Sequence, residues 1–273
     1  MKLAKKLLIV AVSFVAAAAF VSCGFKDDDN TMLKGSGSNY KIDYHNSTSD
    51  TSRGYKTTGL KHEGGVCTVT IKNLEAGKPA SSATGGGVMG FIWDLKDSAS
   101  GVKDAKDFFV LGTRFNGTTI EAYCSKFENI VDIQAKNFGA SASATGKNPK
   151  EINIVPKPPK IFETIPGYEL VDADGDGKKD DIVAVIYVKA EDNGKFTVYL
   201  LKADALDKNG KVKDDALSAS NVPKVNINPD VTGYTKATKN FLAVYANVYP
   251  NSSLAGEWKL TDVQGNALVP VEE

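Results

Sequence analysis

Residues 167–189 read GYELVDADGDGKKDDIVAVIYVK: a short strand-like stretch, a loop crowded with carboxylates, and a long apolar run. The run IVAVIYV is rich in β-branched residues and predicts a strand. Ahead of it, Asp172, Asp174, Asp176 and Asp180 fall at positions 1, 3, 5 and 9 of the loop, and Gly177 follows the third acid. Side chains two residues apart in a turning loop can converge on one centre. Hard oxygen donors at that spacing suit Ca²⁺, and glycine permits the sharp turn. A main-chain carbonyl near Lys178 would complete the donor set. Without a cation, acids so close repel one another. Asp and Gly are also ordinary turn formers, so a solvated acidic hairpin is the alternative.

An EF-hand needs a bidentate Glu at position 12, where Val183 stands inside the apolar strand, so the loop is not an EF-hand. DADGDGKKD instead resembles the D-x-D-G-D-G-x-x-D calcium loop of FG-GAP and integrin-type repeats, which joins two β-strands. The resemblance is confined to this loop. It implies one structural Ca²⁺ held by Asp172, Asp174, Asp176, Lys178 through its carbonyl, and Asp180.

The chain opens with Lys2, Lys5 and Lys6, an uncharged apolar run and then small residues, the pattern of a secretory leader. Phe20-Val21-Ser22-Cys23 resembles the lipobox of bacterial lipoproteins, with Phe20 in place of the usual Leu. The resemblance implies that Cys23 is diacylated and becomes the mature N-terminus, so that the protein meets the membrane through lipid. A conventional signal peptide or an uncleaved anchor is the alternative. Lys26 followed by Asp27, Asp28 and Asp29 resembles the surface-export signals of some Gram-negative lipoproteins, which implies the outer membrane or the cell surface. From 30 to 58 the chain is rich in Ser, Thr, Gly, Asn and Lys, which predicts a flexible tether. The expected organisation is a signal peptide over 1–22, a lipidated tether over 23–60 and a β-sandwich over 61–273. His45 and His62, in or beside the tether, are expected to be exposed.

Removing residues 1–22 takes three lysines and no acid, leaving 30 basic against 33 acidic residues. That near-neutral balance argues against a nucleic-acid partner. The folded part is a succession of strand patterns. VCTVTIKNL alternates Cys67, Val69 and Ile71 against Thr68 and Thr70; VMGFIWDL is apolar on both faces; FFVLGTRF, Asn116-Gly117 and TTIEAYCSKF read as a hairpin. Alternation turns Met89, Phe91, Trp93, Leu95, Phe109, Leu111, Phe115, Ile120, Ala122 and Cys124 inward. KFTVYLLKA pairs with IVAVIYVKA, and a polar excursion from 204 to 223 holds the one short helix. At the end, NFLAVYANVY precedes SLAGEWKLTDV, where Leu254, Gly256, Trp258 and Leu260 share a face.

Many short strands with little helix predict an all-β fold, an antiparallel β-sandwich. The order of GVMGFIWDL, DFFVLGTRFNGTTIEAYCSKF, GKFTVYLLKA and NFLAVYANVYPNSSLAGEWKL resembles the concanavalin A-like (laminin G or jelly-roll) sandwich. That resemblance implies a binding module for glycan or a host or envelope protein, often with calcium. Asp94, Arg114, Tyr123, Tyr245 and Asn247 are the candidate ligand-binding residues, because alternation places them off the core. The solvated face of a sheet is the alternative for the same positions.

With Cys23 acylated, Cys67 and Cys124 are the remaining thiols, and both alternate inward in an oxidising compartment. They are expected to form a disulfide, with two separate buried thiols as the alternative. No GxSxG or HExxH motif occurs, Gly85-Gly86-Gly87 lacks the GxGxxG spacing, and no histidine is expected beside a cysteine or serine in the folded part. An enzyme is therefore not expected. A structural envelope lipoprotein without a small ligand stays open, and a polysaccharide hydrolase is the weakest reading.

Overall fold

In the computed structural model, residues 32–61, 64–72, 87–97, 105–116, 119–132, 150–153, 171–190, 196–218, 224–227 and 240–268 are described. Among them are thirteen strands in two sheets, every ladder antiparallel. The larger sheet holds β1 (Leu33–Ser36), β2 (Asn39–Asn46), β4 (Gly65–Ile71), β9 (Ile182–Ala190), β10 (Phe196–Lys202), β11 (Lys224–Ile227) and β13 (Ser252–Thr261). Its order is β1-β2-β13-β4-β9-β10-β11. The smaller sheet holds β3 (Ser52–Lys61), β5 (Gly87–Asp97), β6 (Lys106–Asn116), β7 (Thr119–Ile130), β8 (Lys150–Asn153) and β12 (Asn240–Val248). Its order is β3-β12-β5-β6-β7-β8.

The protein is a β-sandwich because each sheet turns one alternating apolar set toward the other. One cluster joins Ile42, Cys67, Val69, Ile186, Leu200, Trp258 and Leu260 of the larger sheet to Met89, Phe91, Trp93, Leu111, Cys124 and Val244 of the smaller. Trp93 and Phe109 both pack on Phe196 across the layers, with ring centroids 6.4 and 5.6 Å apart. Trp258 also reaches across, its indole N–H donating to the Gly90 carbonyl at 2.8 Å. Gly256 makes room for Met89: a Cβ there would stand 2.6 Å from the methionine methyl.

The excursion after β10 forms a 3-10 turn at Ala203–Ala205 and an α-helix at Asp214–Ser218. Ala205 and Val212 from it pack on Val66, Val185 and Leu201, covering part of the larger sheet's outer face.

Two expectations are corrected. The tether over 23–60 does not extend to its expected end: β1, β2 and β3 lie between residues 33 and 61, and β2 and β3 are bound to β13 and β12. Few apolar residues suffice, because Tyr40, Ile42 and Tyr44 recur with period two, and the first two are buried while Asn39, Lys41 and Asp43 are exposed. The leader and Cys23 lie outside the described residues.

The Cys67–Cys124 disulfide is not formed; both are free, buried thiols. Cys67 projects from β4 of one sheet and Cys124 from β7 of the other, into the same apolar cluster. Burial raises both thiol pKa values far above the usual range, so each behaves as a small core hydrophobe.

Candidate metal centre

The acidic loop is closed at its root by a two-way backbone pair. Val171 N donates to the Asp181 carbonyl at 2.8 Å, and Asp181 N to the Val171 carbonyl at 3.0 Å. Between them the chain doubles back through Gly175 (φ 79°) and Gly177 (φ 88°), left-handed positions that favour glycine. Carboxylates then organise the turn. Asp172 accepts from Gly175 N at 2.7 Å and from Gly177 N at 3.1 Å. Asp174 accepts from Asp176 N at 3.2 Å, and Asp176 from Lys178 N at 2.8 Å.

One oxygen each from Asp172, Asp174 and Asp176 lies within 4.8 Å of the others. Ca²⁺ binds oxygen at 2.3–2.6 Å, so opposite ligands of one ion stand roughly 5 Å apart, and three oxygens within 4.8 Å of one another are close enough to share an ion. All three are exposed carboxylates, the donor type a hard cation selects. Two ammonium groups compensate part of the charge. Lys178 Nζ donates to Asp176 Oδ2 at 2.8 Å, and this holds the Asp176 pKa below its ordinary value. Lys72, just past β4, places Nζ 2.9 Å from Glu257 Oε1 and 3.6 Å from Asp174 Oδ2, tying the loop to β13. Its pKa is raised, first by the Glu257 hydrogen bond and then by nearby acids including Asp174 and Asp181.

Asp180 stands outside the three-oxygen group. Partial burial, then the charges of Asp176 and Asp181, raise its pKa. The residue that sequence reasoning missed is Asp181, 1% exposed, whose Oδ2 accepts from Ala173 N at 3.0 Å and Asp174 N at 3.2 Å. Adjacent acids look alike in a sequence; the backbone pair with Val171 separates them.

The expected ligand-binding face is corrected. Tyr123, Tyr245 and Asn247 are buried and Arg114 is half-buried; Asp94 lies on β5, its side chain outside what the structure describes. Val88, Ile92, Phe108, Val110 and Phe127 join Tyr55, Tyr123 and Tyr245 in a second apolar cluster, with Phe108 stacked on Phe127 at 5.2 Å. These aliphatic and aromatic residues alternate in phase with the polar ones, so the face as a whole is apolar and is taken out of water. Between Tyr245 and Tyr123, Gly90 and Gly112 face each other across β5 and β6. The backbones run too close there for a Cβ on either.

One further contact departs from expectation. His45 is exposed on β2, as expected, but its Nδ1 lies 2.8 Å from Ser253 Oγ on β13. Because β2 belongs to the sandwich, a histidine does stand beside a serine in the folded part. The pair is a cross-strand contact on the larger sheet's exposed face.

No protein-family model matches this chain, and no curated protein matches it. Among solved structures, the exoplasmic/lumenal domain of VIP36 in its Ca²⁺/Man3GlcNAc-bound form is similar at 12% identity, over 89% of this chain and 83% of that one, with a TM-score of 0.32. A likeness that remote carries neither ligand nor activity across, and the sandwich stands on its own two sheets.

Proposed function

We propose that the protein is a lipid-anchored envelope lipoprotein whose sandwich is a non-enzymatic binding module stabilised by calcium. The observation that carries the calcium part is the convergence of Asp172, Asp174 and Asp176 on one centre at the root of β9. β9 pairs with β4 and β10 near the middle of the larger sheet, so an ion there fixes where a central strand begins. Its role is to set register rather than to perform chemistry.

Calcium at about 100 times its Kd should stabilise the protein by ~2.7 kcal/mol, read as a rise in melting temperature that a chelator reverses. Asp174→Ala should remove most of that gain and leave the calcium-free melting temperature little changed. A parent protein whose melting temperature ignores both calcium and chelator reduces the loop to an acidic hairpin. The anchor is tested separately: labelled palmitate should enter the parent and not Cys23→Ala, and incorporation into the variant removes the lipoprotein reading.

The partner proposed is a glycan or an extracellular protein at the outer membrane or cell surface, on the strength of the segment order and the export-like KDDD. Burial of Tyr123, Tyr245 and Asn247 favours a second reading, a structural lipoprotein held to envelope proteins. A glycan array probed with the full-length protein in calcium separates the two.

A further inference from the structure

We propose that the end of the sandwich at which β1 begins faces the membrane, with the layer of lipid headgroups as its partner. The inference rests on the lipid-anchor reading above and says how the anchored domain is turned. Eight residues, Gly24 to Thr31, separate Cys23 from Met32. Met32 is 6% exposed and Leu33 1%, both in the cluster between the sheets, so the tether gains no slack beyond Met32. From Cys23 to Met32 the chain reaches at most about 30 Å.

The ladders fix which end that is. Leu33 pairs with Ile42, Ile42 with Gly256, Gly256 with Ile71 and Ile71 with Ile182. One row thus crosses five strands, from the start of β1 to the root of the acidic loop. Beyond that row, on the side from which Met32 enters, β2 and β13 continue to the pair of Asn46 and Ser252. The exposed turn that holds Ser49 follows. In the other direction β9 runs on to Lys189, which is exposed and about 24 Å from Ile182 along the strand. Turned upside down, the sandwich would lift Met32 at least that far from the bilayer. The tether would then have to be drawn out almost straight, against its conformational entropy. Upright, it pays no such cost, and the far end points toward solution.

Energy transfer from a fluorophore on the protein to an acceptor on lipid headgroups tests the orientation. Full-length protein with its lipid on Cys23 is labelled at Ser49→Cys, Lys179→Cys or Lys189→Cys and placed in phosphatidylcholine vesicles. All three positions are exposed, and the buried Cys67 and Cys124 take no label in the folded protein. Transfer from Ser49→Cys and Lys179→Cys should exceed that from Lys189→Cys about twofold or more, because the near and far ends are separated along the strands by roughly 35 Å. Equal transfer from all three, or more from Lys189→Cys, overturns the proposal while the anchor reading stands. A protein that carries no lipid on Cys23 takes both down. Inserting about twenty Gly and Ser residues after Thr31 should abolish the difference, because the tether would then reach past the whole sandwich. A difference that persists in that variant overturns the short tether as its cause.

Discussion

Trp258→Ala is expected to remove at least ~4 kcal/mol of stability, a large part of the ~5–15 kcal/mol a domain typically has. Two losses combine. Trp258 is 1% exposed and lies in the cluster shared by both sheets, so truncation empties space that neighbours cannot refill. Its indole N–H is also the donor to the Gly90 carbonyl on the facing sheet, a buried bond of 2.8 Å. Gly90 stands opposite Gly112, so no side chain from either can move in to replace the ring. Trp258→Phe separates the effects: most of the apolar contact survives, and about 1–3 kcal/mol should be lost with the donor. Urea unfolding at fixed calcium measures both. A loss below ~1 kcal/mol for Trp258→Ala would mean the inter-layer contact is not what holds the sheets together.

Asn46→Ala should cost about 2–4 kcal/mol although it removes only a small polar side chain. Asn46 is fully buried at the end of β2. Its Nδ2 donates to the carbonyls of Val248 at 3.0 Å, Tyr249 at 3.0 Å and Asp50 at 2.8 Å. Its Oδ1 accepts from Thr48 N at 3.1 Å and Thr48 Oγ1 at 2.7 Å. One side chain thereby ties the turn after β2 to the end of β12, in the other sheet. Asn46→Asp should be worse than Ala near neutral pH, because a carboxylate would face three carbonyls without a proton to share. Burial and those carbonyls would raise the folded-state pKa of the introduced acid above its unfolded value near 3.9. Its protonated form therefore suits the fold, and the penalty should shrink as pH falls and grow as pH rises through the folded pKa. An Asn46→Asp midpoint that tracks the parent at every pH would show that the amide donors carry no weight.

How far the sequence spoke depended on the range of the pattern. Strands whose alternation is strong, such as residues 66–71 and 252–260, are legible because a buried face demands apolar residues at every second position. β2 was hidden by averaging: its neighbourhood is polar in composition, yet Tyr40 and Ile42 keep the period. The smaller sheet's outer face was misread by attending to Asp94, Arg114, Tyr123 and Asn247 while passing over Val88, Ile92, Phe108 and Val110 between them. Three of the loop's acids are close together in sequence and their convergence could be read from spacing. Asp181 could not, because its burial follows from a backbone pair whose register no local spacing reveals.

The strand order also sets a clock. β2 finds its ladder partners in β1 and β13, and β3 finds its partner in β12. His45 and Ser253, which meet across β2 and β13, are 208 residues apart. At a ribosomal rate of ~5–20 residues per second, the earliest strands wait on the order of 10 s or more before the strands they need exist. Contacts so distant in sequence also make closure slow, since the entropy of a long loop must be overcome before any of them forms. β1 and β2 can pair at once, whereas β3 and the second edge of β2 wait for the end of the chain. A chain interrupted before β12 would hold β3 without its ladder and β2 with only one side of its own.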